Sequence, residues 1–86
     1  AYLAAGDAAK AERVLLRALE SYAELPETHW RVGEVESLLG EALVAQDRRV
    51  DGMRLLREGH ATVVAHVGAD SWQARATAAR LAAAGG

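Results

Sequence analysis

The chain has no cysteine, phenylalanine, isoleucine or asparagine, and only one proline (Pro26) and one lysine (Lys10) among its 86 residues. Without cysteine there is no disulfide staple, no thiolate metal site and no cysteine nucleophile. No apolar run approaches the length of a membrane span, about 18 residues or more, and no signal peptide is visible, so the expected compartment is the cytoplasm. The chain starts at Ala1 without a methionine and is expected to be a piece of something longer. Nine Arg against one Lys, with no Ile or Asn, suggest a high-GC bacterial coding bias.

What is present favours helix. Alanine occurs 20 times, Leu, Arg and Glu are plentiful, and β-branched residues are few. The length allows one small domain, which buries only about 60% of its unfolded surface, so stability must come from packing. Net charge is −2: eight acidic and four basic residues precede Asp47, and four acidic and six basic residues follow from it. That mild dipole, −4 against +2, lacks the concentrated basic footprint of a nucleic-acid binder.

Hydrophobic periodicity predicts four helices. The first covers about residues 8 to 24 behind an Asp7 N-cap, with Val14, Leu15, Leu16, Leu19 and Tyr22 at helical spacing. Leu25-Pro26 ends it, because a residue before proline is pushed out of the α region. The second runs from Pro26 or Glu27 to Gln46, with Trp30, Val35, Leu38, Leu39, Ala42 and Leu43. Asp47 is expected to close it and cap the third, from Arg48 to His66 or Val67; His60 to Val67 has some strand character but continues the helical period. Gly68 is a helix stop, and Asp70 with Gln73 reads as a capping box opening the fourth, about residues 71 to 83. Gly85-Gly86 should fray. The short connections predict antiparallel hairpins. The predicted core is Leu15, Leu16, Leu19, Tyr22, Trp30, Val35, Leu38, Leu39, Leu43, Leu55, Leu56, Val63 and Trp72.

The chain also matches itself. A shift of 41 lays Tyr2 on Leu43, Gly6 on Asp47, Ala11 on Gly52, Leu15 on Leu56 and Ala18 on Gly59; past the next loop a shift of 42 lays Trp30 on Trp72, Val32 on Ala74 and Leu39 on Leu81. A period of that size is the mark of stacked repeat units. Gly33, Gly40, Gly52 and Gly59 fall inside predicted helices, where each costs about 1 kcal/mol relative to Ala. They are tolerable if paired backbones approach too closely there for a Cβ.

Leu39-Gly40, Leu43, Asp47, Gly52, Leu56 and Gly59 follow a spacing of large, small, large, turn, small, large, small, which resembles the tetratricopeptide-repeat family. The period of 41 to 42 is similar to the extended, kinesin-light-chain type, and Arg31 to Glu58 is similar to arrays behind bacterial serine/threonine kinase domains. Asp51-Gly52 departs from the more usual Glu-Ala, and Arg80 and Ala84 depart in the third unit. The resemblance implies an α-α solenoid, a right-handed stack of antiparallel helices, divided into the end of one repeat (1–25), a full repeat (26–68) and the first helix of a third (69–86). It also implies a concave face lined by the first helix of each unit. Glu34, Ser37, Glu41 and Val44 would stand there from the second helix, and Gln73, Ala76, Ala79 and Ala83 from the fourth. Such an acidic, small-residue groove suits an extended or helical peptide of basic character.

Other readings are weaker. His29, His60 and His66 lack metal-ligand spacing and read as ordinary surface or boundary residues. Glu34, Glu36 and Glu41 have no nucleophile or oxyanion hole beside them and read as a solvated face, so no enzyme, metal or cofactor is expected. Trp30 and Trp72 at equivalent positions read as wedges between hairpins more readily than as binding hot spots. Arg48, Arg49, Arg54 and Arg57 read as solvation with an Arg54–Glu58 pair. The expected function is a protein-binding scaffold with no nucleic-acid or membrane partner; the alternative is a structural spacer or self-association element. Bare repeat edges predict a marginal monomer or weak association through residues 1 to 19 or the last helix.

Overall fold

A computed structural model describes residues 5–23 and 29–85. Tyr2, the Leu25-Pro26 break, the helix start at Pro26 or Glu27 and the end of the tail at Gly86 lie outside the described residues. The protein is all-α: α1 (Ala5–Ala23), α2 (Trp30–Ala45), α3 (Arg49–Val67) and α4 (Trp72–Ala83). The stretch from His60 to Val67 is helical, as its period requires, and Gly68 ends α3 at φ 87°, with its N–H on the Val64 carbonyl.

Helix ends differ from the sequence reading wherever an aspartate was expected to cap. Asp7 lies inside the first turn of α1, where its charge complements the helix dipole without capping. Asp47 adopts φ 62°, and around it Asp47 N–H bonds the Val44 carbonyl at 3.0 Å while Arg48 N–H bonds the Leu43 carbonyl at 2.9 Å. That pair of bonds is a Schellman closure with Asp47 in the left-handed seat, so its side chain is not the cap of α3. Arg48 stands at the N-cap of α3 with no side-chain cap bond. At α4 the cap is Ser71 and not Asp70: Ser71 Oγ accepts from Ala74 N–H at 3.1 Å. His29 is extended and precedes α2, with Nδ1 accepting a long 3.4 Å bond from Arg31 N–H.

The core gathers on α2 and α3. Val35, Leu39, Ala42 and Leu43 of α2 and Met53, Leu56 and Val63 of α3 are buried, with Ala8 from α1 and Ala74 and Thr77 from α4. Two expected core residues are exposed: Leu16 at 44% and Trp72 at 65%. Both lie on outer helices, and among the described residues α1 packs on α2 alone, so only one of its faces is covered. Leu15, Leu19, Tyr22, Trp30, Leu38 and Leu55 are half-buried.

The four helical glycines explain the tightest contact. A Cβ on Gly40 would stand 2.6 Å from the Gly52 carbonyl oxygen, and one on Gly52 would stand 2.7 Å from that of Gly40. Two turns away, a Cβ on Gly33 would stand 2.6 Å from the Gly59 oxygen, and the reverse distance is 2.5 Å. Both pairs are reciprocal, and they run in opposite directions along the two helices, so α2 and α3 form an antiparallel hairpin pressed backbone to backbone. Only glycine fits there, which is why the sequence accepts its cost in helix propensity.

Candidate partner-binding face

α2 and α4 are related by the 42-residue shift and lie side by side, running the same way. Trp30 meets Trp72 edge-to-face, with ring centroids 5.7 Å apart, and further along Arg80 Nη1 reaches Ser37 Oγ at 3.5 Å. The indoles are repeat-equivalent residues in direct contact, a geometry aromatic pairs favour. Arg31 also lies over the Trp30 ring, 5.5 Å from its centroid.

Of the five residues expected to line a groove, three keep open surface, one is buried and one turns toward α3. Glu34, Glu41 and Gln73 are half-buried and retain open surface. Ser37 is fully buried beneath Arg80, so it positions that arginine and cannot itself touch a partner. Val44 turns toward α3, and its Cγ2 occupies the space that a side chain on Gly52 would need, at 2.6 Å. Arg80, which breaks the repeat pattern in the sequence, is the residue the groove reading missed. It brings a cation onto α2 beside Ser37, on a face expected to be acidic. Its signal in the sequence was the departure itself.

Three of the four arginines at and along α3 have partners. Arg48 pairs with Glu12 at 2.9 Å, Arg49 donates to the Ala84 carbonyl at 2.7 Å, and Arg54 reaches Glu58 at 3.5 Å. Gln46 and Arg48, both hydrogen-bonded to Glu12, hold its carboxyl below the usual carboxylate range. These bonds tie the start of α1 to the α2–α3 turn, and Arg49 ties the start of α3 to the end of α4 in the same way. Glu36 is the opposite case. Burial pushes its carboxyl up, the Glu58 carboxylate adds to the shift, and Arg54 opposes it.

Each histidine has a local partner. His66 Nδ1 bonds the Thr62 carbonyl at 2.8 Å, and His60 Nδ1 meets Thr77 Oγ1 at 2.9 Å. Among the described residues, no group of three or more His, Asp or Glu is placed to hold a metal, and no helix is long and apolar enough to cross a membrane.

Between α1 and α2 lies an open cleft of about 410 Å³, lined by Lys10, Ala11, Val14, Leu15, Leu38 and Glu41. Its lining is almost wholly apolar, and Val14 within it is 66% exposed. No protein-family model, curated protein or solved structure matches the chain.

Proposed function

We propose that this chain is a tetratricopeptide-like helical-repeat scaffold that holds a partner peptide or protein against the joint face of α2 and α4. The observation that carries the reading is the contact of Trp30 with Trp72: equivalent residues of successive units touch, and the helices bearing them run parallel. Stacked units meet in this way, and their first helices form a continuous surface. Glu34 and Glu41 present two carboxylates one heptad apart on that surface, with Gln73 on the neighbouring helix, a pattern suited to an extended or helical peptide of basic character. No catalytic role is assigned. The arginine-rich, lysine-poor composition fits a bacterial source, and the resemblance to arrays behind bacterial kinase domains fits a cytoplasmic setting as part of a larger signalling protein.

Charge reversal tests the reading. The Glu34→Lys, Glu41→Lys double variant should weaken binding of basic peptides, read by fluorescence anisotropy, at least tenfold while leaving the helical circular dichroism intact. Unchanged affinity sinks the groove. A second reading, a self-association element, draws on a different feature: the apolar cleft between α1 and α2.

A further inference from the structure

The cleft between α1 and α2 is repeat-equivalent to a seat that is filled elsewhere in the same molecule. The 41-residue shift carries Ala11, Val14 and Leu15 onto Gly52, Leu55 and Leu56, and the 42-residue shift carries Leu38 onto Arg80. Those equivalents on α3 and α4 are where α2 lies: Gly52 and Leu56 meet Gly40, and Arg80 meets Ser37. Leu56 is fully buried there, whereas Leu15 is half-buried and Val14 is 66% exposed. The molecule therefore shows what the cleft fits: a helix antiparallel to α1 and parallel to α2, with small residues toward α1.

We propose that the occupant is α4 of a second copy of this chain, so that copies stack head to tail. α4 is the repeat-equivalent of α2, and the residues standing at the positions of Gly40 and Ser37 are Ala82 and Ala79. Both are exposed, as is Ala78 beside them. Small residues on α4 would then face Ala11 and Ala18 on the partner's α1, as Gly40 and Gly33 face Gly52 and Gly59 within the hairpin. The charges agree, because α4 carries Arg75 and Arg80 and no acidic residue, whereas α2, which borders the cleft, carries Glu34, Glu36 and Glu41 against Arg31. Alanines in place of glycines, and Arg75 at the position of Gly33, keep this pair wider than the internal one, so the association is weaker than the α2–α3 contact. The contact is heterologous, leaving one free cleft and one free α4 at the ends of every stack. The proposal rests on the repeat reading above and deepens its self-association branch.

Two exposed positions separate the halves of the interface. Val14→Arg blocks the cleft and leaves α4 intact; Ala79→Arg blocks α4 and leaves the cleft intact. In sedimentation velocity, the wild-type chain should gain mass with concentration, in a series without a fixed end point, and added salt should weaken the gain. Each variant alone should stay monomeric with unchanged helical circular dichroism. An equimolar mixture of the two should give a discrete dimer that does not grow. A monomeric wild type, a variant that associates like the wild type, or a mixture that stays monomeric each overturns the proposal. Glu41 also lines the cleft, so peptide binding to the α2–α4 face is measured separately through Glu34→Lys alone.

Discussion

His60 Nδ1 lies 2.9 Å from Thr77 Oγ1, and the same hydroxyl donates to the Ala74 carbonyl at 2.9 Å, so the imidazole must be the donor in the first bond. This chain of two bonds joins α3 to α4 around a threonine that is fully buried. The residues standing 41 and 42 positions earlier are Leu19 and Val35, both apolar.

A double-mutant cycle measures the His60–Thr77 bond. Thr77→Val keeps the shape but leaves the imidazole N–H without its acceptor, and should cost about 1–2 kcal/mol. His60→Leu together with Thr77→Val makes both positions apolar and should recover most of that loss in urea unfolding. Additive losses would show that the bond is incidental.

Glu36 is placed to make neutral pH unfavourable. Its folded pKa is raised, so ionisation costs stability above that pKa, and the cost is relieved as the pH falls through it toward the unfolded value. Glu36→Gln should therefore stabilise the fold at pH 7. The residue is only half-buried, and solvent screening holds the gain to about 0.5 kcal/mol. The difference between variant and wild type should shrink toward zero near pH 4, and a constant difference across that range would refute the account.

Glu12 works in the other direction. Gln46 and Arg48 depress its folded pKa, so its stabilisation is present above the unfolded value and is lost as the pH falls through the folded one. Arg48→Ala should cost about 0.5 kcal/mol at pH 7, in keeping with a surface pair, and nearly nothing once Glu12 is protonated. Thermal unfolding of both chains at pH 7 and pH 2.5, the lower value being roughly two units below an ordinary carboxylate, gives the comparison.

Much of the fold was legible because the helical period is strong in α2 and α3, where apolar residues recur at three- and four-residue spacing. The glycine pairs were legible for a different reason: a glycine inside a helix is a cost, and two at the same spacing on consecutive helices point to a shared cause. The caps were misread because Asp, Ser and His can all end or start a helix, and only the backbone chooses among neighbours. Asp47 shows this best: it closes α2, as expected, but Arg48 and not Asp47 stands at the N-cap of α3. Leu16 and Trp72 were misplaced because periodicity says which face is apolar, and the outermost helices have no second neighbour to cover theirs. The exposure of the expected groove residues followed the helical period only in part. Glu34 and Glu41 keep open surface, but burial of Ser37 under Arg80 depends on how closely α4 approaches α2, which no spacing within one helix encodes.

The account stands on the backbone contact between α2 and α3, and glycine-to-alanine substitution tests it most directly because two effects have opposite signs. Gly6, in the first turn of α1, has open space around its missing side chain, so Gly6→Ala should leave the melting temperature unchanged or raise it, by up to about 1 kcal/mol of helix propensity. Gly40→Ala carries the same propensity gain but drives a methyl group toward the Gly52 carbonyl and the Leu56 backbone. It should lose about 2 kcal/mol net and melt roughly 10 °C lower. A Gly40→Ala chain that melts higher than the wild type would mean that the two helices do not touch there.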